Sequence, residues 1–409
     1  MPVQIAGKGE MMREPNLLTR LTNLNTEKNE KWGLVLSGGG TRGAYEVGAW
    51  RALRELKIPI RGIAGTSIGA LNAAMFLCCD LKKIMEIYRN IKLTDVLPVS
   101  GNIDPDKNVF DRSNLLAIMR EYVVQHGLDN GPLRNLLQLN LDTDKIYASP
   151  LDLGIVTFDV QSREPLRIFK EDIDRSRFID YLLASANFPI YKTHNLNGKK
   201  LWDGGLYDNM PFNLLIERGY THLAVVDING IGLTQKVENA EKISLKMISC
   251  SEDLGGTFDF NHERIEKNLT LGYLDTLKAF HKLFGNYYFF RRPAFNDLLL
   301  NFDLETISGL EHAAKYYKID RCRIFTADEF LNELAFCHQM TERRNAQEGI
   351  DRLDVLDLRR QLQSGAAIPL LVNLFIEQPL LRSGALAKAF PEAASAASAM
   401  IELRNYRKM

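Results

Sequence analysis

The sequence has no excess of charge of either sign: 51 Lys and Arg balance 51 Asp and Glu, for a formal net charge of zero. No global field therefore draws it to nucleic acid or to an anionic bilayer, and any membrane attraction has to be local. It also lacks a charge-free apolar run near the roughly 20 residues that span a bilayer. The nearest, residues 366–376, is short and carries Pro369 and Asn373. The first thirty residues mix Lys8, Glu10, Arg13, Glu14, Lys28 and Glu30 with short apolar stretches, contain no core suited to a signal peptide, and read as a mobile lead-in. A soluble or peripheral protein is expected. Cysteine is scarce, with five in the chain. Cys78 and Cys79 are neighbours in an expected helix, and Cys250, Cys322 and Cys337 show no CxxC or Cys/His ligand spacing. The pattern suits free thiols, packed as small apolar residues, in a reducing cytoplasm.

What is present is enough chain, 409 residues, for one large α/β domain with an appendage or for two ordinary domains. From Trp32 a short apolar strand breaks into Gly38-Gly39-Gly40-Thr41-Arg42-Gly43, after which a helix is expected over 44–56. A second strand at 62–65 launches an Ala- and Leu-rich helix over 68–81. Helices are expected again at 82–91, 112–125 and 132–139, and strands at 153–158, 166–169, 222–228 and 244–249. This alternation predicts an α/β fold with a mostly parallel sheet covered on both faces. Asn197-Gly198 is a two-residue hairpin signal between strands at 193–196 and 199–202, and it puts Asp203 just past the second strand. Beyond about Thr326 the pattern turns helical, with stretches at 351–363 and 385–403. The organisation expected is a lead-in over 1–30, a catalytic domain over 31–326 and a helical C-terminal region over 327–409.

Gly65-Thr66-Ser67-Ile68-Gly69 matches the GxSxG nucleophile elbow, in which flanking glycines let a strand turn sharply into a helix and leave the serine oxygen exposed. The blander reading is a strand-to-helix turn whose serine only caps the helix. An attacking alkoxide creates an oxyanion that must meet preorganised donors. Gly38, Gly39 and Gly40 can aim successive N–H groups at one point, the following helix adds positive potential, and the N–H of Ile68 completes the hole. Arg42 either steadies that loop through carbonyl contacts or is simply solvated. Asp203-Gly204-Gly205, an acid at a strand end followed by two flexible residues, can supply a base or be an ordinary Asp-Gly turn. Asp208 is better suited by its spacing to Pro211 to capping the next helix.

Gly38, Gly40 and Gly43 also spell G-x-G-x-x-G between a strand and a helix, the setting of a dinucleotide-binding turn. That reading requires an acid roughly 20 positions on. Between Glu55 and Asp80 the sequence has no Asp or Glu, and the serine elbow stands in that place. A Walker phosphate loop is excluded by the lack of G-x-x-x-x-G-K-[ST].

Taken together, these residues resemble the patatin-like phospholipase family, which combines a G-G-G-x-[RK]-G loop, a GxSxG elbow and a D-G-[GA] motif in this order. The resemblance covers roughly residues 31–228. It implies a three-layer α/β/α fold, a Ser–Asp dyad without histidine, and hydrolysis of acyl esters in phospholipids or related lipids. By that likeness Ser67 is the nucleophile, Asp203 the general base and Gly38–Gly40 the oxyanion loop; Arg42, Gly65, Gly69, Gly204 and Gly205 support them. Many members carry a small residue where Ile68 stands, so the pocket beside the nucleophile is expected to differ in shape. No cofactor or metal is expected, and the partners are an acyl-ester lipid and, transiently, a membrane surface, with no nucleic acid. The location expected is the cytoplasm, with peripheral contact at the membrane.

Two other readings share the motifs: an acyltransferase using the same acyl-enzyme, and a regulatory lipid-binding module of the same fold. The carrier-protein transacylases related by fold have His before the elbow serine, where this chain has Thr66. A triad would need a histidine. His222, His262 and His281 follow Asp203 in a suitable order, and His194 sits in the hairpin beside it, but none has a recognisable catalytic context. For membrane contact, the aromatic and cationic stretch 284–292 and the loop 97–109 are the candidates, the former reading more simply as an ordinary core element that ends in solvated arginines.

Overall fold

The computed structural model describes residues 31–98, 127–354 and 358–408. The expected lead-in, the helix at 112–125 and most of the 97–109 loop lie outside the described residues. The centre of the fold is an eight-stranded sheet in the order β5-β6-β3-β2-β1-β7-β8, with β4 pairing β3. Its strands are β1 (Trp32–Leu36), β2 (Ile60–Thr66), β3 (Asp152–Asp159), β4 (Glu164–Phe169), β5 (His194–Leu196), β6 (Lys199–Asp203), β7 (His222–Asp227) and β8 (Ser244–Ser249). The five strands β3, β2, β1, β7 and β8 run parallel, and β4, β5 and β6 join through antiparallel pairs.

Burial explains why the parallel strands read as continuous apolar runs. All five residues of β1 are buried, and they alternate between two faces. Leu34 and Leu36 join the main core with the helices Ala44–Glu55 and Ile68–Cys78, whereas Val35 joins a second layer with Phe212, Leu214 and Leu215 of the helix Phe212–Glu217. A sheet buried on both faces needs apolar side chains on both, which erases the period-two alternation of a half-exposed strand.

Register decides what meets at one edge. Leu36 is paired with Gly65 and with Val226, so β1, β2 and β7 end at the same level. Thr66 is paired with Val156, and the next residue of β3, Thr157, with Asp203. The glycine loop after β1, the turn after β2 and the end of β6 therefore emerge together at the carboxyl edge of the sheet, where ligands bind in open α/β sheets.

A separate apolar core runs from Tyr288 to Leu403 and is built from the helices Arg292–Asn301, Leu304–Tyr316, Ala327–Gln347, Ala367–Glu377 and Pro391–Tyr406. The helix expected over 385–403 is broken at Phe390, with Pro391 restarting it at a first-turn position where a missing N–H costs nothing. Of the 284–292 stretch, Tyr288, Phe289 and Phe290 are buried; this aromatic run is core, not a surface that seeks an interface.

Candidate active site

Ser67 stands between β2 and the helix Ile68–Cys78 with φ 55° and ψ −126°, a conformation that costs a non-glycine residue on the order of 1–3 kcal/mol. Its side chain makes no capping bond to the helix, so the bland reading of a capping serine fails. The turn is held from outside: the Ser67 N–H donates to Ser185 Oγ at 3.0 Å, and that hydroxyl donates to the carbonyl of Val156 at 2.6 Å. The two motif glycines are required by contact. A Cβ at position 65 would lie 2.3 Å from the Gly69 backbone, and one at 69 would lie 2.4 Å from the Leu36 carbonyl oxygen.

Asp203 is the last residue of β6 and is 6% exposed, which separates it from an ordinary surface Asp-Gly turn. Its Oδ1 accepts the N–H of Gly205 at 2.8 Å. Burial pushes the carboxyl up to about 6, against the pull of the Ser67 hydroxyl and the Gly205 N–H. The Ser67 hydroxyl thus lies beside the Asp203 carboxyl and favours its charged form. Asp208 is also buried and also raised to about 6 by desolvation. It does not cap a helix: the next one begins at Phe212, with Pro211 at its N-cap.

In the glycine loop, Arg42 is spent on carbonyls. Its Nε donates to Gly255 O at 2.6 Å and its Nη1 to Asn229 O, which resolves the choice between steadying the loop and solvation. Gly40 has φ +64° and is wedged against Thr257, whose carbonyl oxygen would lie 2.1 Å from any Cβ. The Gly38 N–H points to Asn209, whose backbone oxygen and Oδ1 accept it at 3.2 and 3.1 Å. The N–H groups of Gly39, Gly40 and Ile68 have no hydrogen-bond partner among the described residues. Asn209 is a site residue that the sequence pattern did not single out.

Ser67, Asp203 and the three loop glycines line one cavity of about 180 Å³. The rest of its wall is largely apolar, with Leu71, Met75, Leu133 and Leu137 buried, Ile68 half-buried, and Phe188, Leu206 and Ile231 exposed. A dry apolar cavity of about 150 Å³ already holds a benzene-sized guest, so this one accepts a hydrocarbon segment. Behind the loop lies a buried polar cluster. Asn72 Nδ2 donates to Glu46 Oε2 at 2.7 Å and to Gly43 O at 3.0 Å, while its Oδ1 accepts from the cavity-lining Tyr88 at 2.8 Å. Burial raises the Glu46 carboxyl well above its ordinary range.

No described histidine lines the cavity. His222 begins β7, at the opposite end of the strand from the site, and lies 5.5 Å from the Trp32 ring. His262 starts the helix His262–Ala279, and His281 follows that helix. His194 pairs in register with Leu201, two residues before Asp203, and its titration is set by burial, Asp180, Arg134 and Arg177. Among the described residues there is no cluster of three or more His, Cys, Asp or Glu placed to hold a metal.

Comparison with known proteins agrees with the motifs. Residues 34–216 match the family model described as patatin-like phospholipase. Lysophospholipase NTE1 of Candida albicans is 28% identical over 206 residues, covering 50% of this chain and 13% of that protein. Patatin-like phospholipase domain-containing protein ZK370.4 of Caenorhabditis elegans is 57% identical over 44 residues, 11% of this chain and 3% of its own length. The matched part is thus a small fraction of the length of these curated relatives. VipD from Legionella pneumophila aligns over 91% of this chain and 90% of its own, at 13% identity and a TM-score of 0.40.

Proposed function

We propose that the chain is a serine hydrolase of lipid acyl esters, with Ser67 as nucleophile and Asp203 as its base. The observation that carries this reading is the meeting of a strained, uncapped serine with a buried carboxyl at one end of an apolar cavity. Ser67 Oγ attacks the ester carbonyl carbon and gives its proton to Asp203. The C–O bond to the alcohol breaks, and the leaving alkoxide takes that proton. Water then attacks the acyl-enzyme, again losing its proton to Asp203, and the fatty acid leaves as Ser67 is restored. A carboxylate at an ordinary pKa near roughly 3.9 is a poor base; one raised to about 6 is closer to the working pH and better matched to the task.

The oxyanion falls to the N–H groups of Gly39, Gly40 and Ile68, with Gly38 holding the loop. The substrate class this reading favours is a phospholipid or lysophospholipid, one acyl chain lying along the apolar wall. Contact with a membrane surface is then transient and local, and the five unpaired cysteines fit a reducing cytoplasm. The test is fatty-acid release from mixed phospholipid vesicles, with and without alcohol acceptors, for wild type and Ser67→Ala. Free fatty acid from wild type alone supports hydrolysis; acyl product only with an acceptor means transfer; equal release by the two proteins removes Ser67 from the chemistry.

A further inference from the structure

Asn209 is 4% exposed and commits both polar ends of its side chain to one residue, Gly38, across 171 positions of sequence. Oδ1 accepts the Gly38 N–H at 3.1 Å, and Nδ2 donates to the Gly38 carbonyl at 3.3 Å. The pairing fixes the orientation of the amide, because the flipped form would set NH₂ against N–H and oxygen against oxygen. Asn209 is itself anchored, its own N–H donating to Leu233 O at 2.6 Å.

The Gly38 carbonyl and the Gly39 N–H belong to one planar trans peptide, so they point in opposite directions. Clamping the carbonyl therefore sets the direction of the N–H. Glycine on both sides leaves that peptide free to rotate if the clamp is removed. We propose that Asn209 is a positioning residue: by holding the Gly38 carbonyl it aims the unpartnered Gly39 N–H into the cavity, at the oxyanion that forms there. The inference rests on the hydrolase reading above.

The experiment compares wild type with Asn209→Leu, which is near-isosteric and apolar, and Asn209→Ala. Initial rates are measured on a short-chain ester. Affinities are measured for two ligands of equal chain length, a trifluoromethyl ketone that forms an oxyanion on Ser67 and an ether that does not react. Loss of an oxyanion donor typically costs about 10²–10³ in kcat, and misaiming one costs less. The expected result is a fall in kcat of about 10- to 100-fold, with KM within about threefold and matching weakening of the ketone but not of the ether. Folded variants with unchanged kcat, or with ketone and ether weakened equally, overturn the inference and leave the hydrolase reading intact. If Asn209→Leu does not fold, the smaller Asn209→Ala decides by the same two ligands. Wild type that neither turns over esters nor binds the ketone overturns the reading and the inference together.

Discussion

Asp203 carries opposed demands, because the burial that makes it a useful base also makes its charged form unfavourable in the folded state. Activity should therefore fall along a single acid limb as pH drops through about 6, where the carboxyl takes up a proton. The stability effect has the opposite sign. With a folded pKa of about 6 against roughly 3.9 unfolded, the native state binds more protons between those values, so this group's contribution is present below about 3.9 and is lost as pH rises through about 6. Asp203→Asn should thus be nearly inactive, by about a thousandfold or more, yet gain on the order of 2–3 kcal/mol over wild type between pH 4 and pH 8. Urea unfolding of both proteins across that range isolates Asp203 from Asp208, which is raised to the same region and is present in both. A constant difference across the range would mean that Asp203 does not titrate there. Replacing His194, His222, His262 or His281 by Ala should leave ester turnover within about tenfold, since loss of a true general base costs roughly 10²–10⁴.

At the scale of elements, the sequence was most readable where the deciding signal is local. The strand at 244–249 and the helix expected over 44–56 appear as Ser244–Ser249 and Ala44–Glu55. The hairpin was readable from Asn197-Gly198, but its docking was not. The antiparallel pairing of Asp203 with Thr157 joins segments some 46 residues apart and leaves no local periodicity. The role of Asn209 was hidden for the same reason, since its partner Gly38 lies 171 residues away. The glycine and serine motifs were legible because strain itself selects residue type: a contact of 2.3 Å between a Cβ and the backbone admits only glycine at position 65. That strain yields a stability test. Ser67→Gly and Ser67→Ala both lose the hydroxyl, but only Ala keeps a Cβ at φ 55°. The Gly variant should be the more stable by about 1 kcal/mol, after the greater unfolded-state entropy of glycine is set against the relieved strain. Thermal melts in which the Ala variant equals or exceeds the Gly variant would remove the claim that the elbow stores strain.

At the scale of the molecule, the sheet and the helical core from Tyr288 onward meet at a buried ionic clasp. Arg321 and Asp275 have side chains 3% and 4% exposed and approach to 3.1 Å. Tyr45, on the helix that follows the glycine loop, donates to the second Asp275 oxygen at 3.0 Å, and Arg321 also donates to Ser251 Oγ at 2.9 Å. The Arg321 guanidinium lies 4.8 Å from the centre of the Phe289 ring. Composition gave no sign of this, because a balanced set of charges says nothing about which two will be desolvated together. A buried pair is weak evidence of net stabilisation, since the cost of taking both ions from water offsets much of their attraction. Breaking it is a different matter. Arg321→Met leaves the buried Asp275 with the Tyr45 hydroxyl and one cation, Lys278 at 3.5 Å, and should cost about 3–5 kcal/mol. Arg321→Met combined with Asp275→Leu removes both charges and strands the buried Tyr45 hydroxyl, a loss of about 1–3 kcal/mol, while Ser251 is exposed to water and Lys278 keeps the Asn286 carbonyl. The double variant should therefore be more stable than the single one, a sign of coupling that independent contacts cannot produce. Denaturant unfolding followed by the fluorescence of Trp32 and Trp50, both in the main core, reads the two differences directly. If the two substitutions simply add, the clasp is a pair of separate contacts, and the helical core is held to the sheet by apolar packing alone.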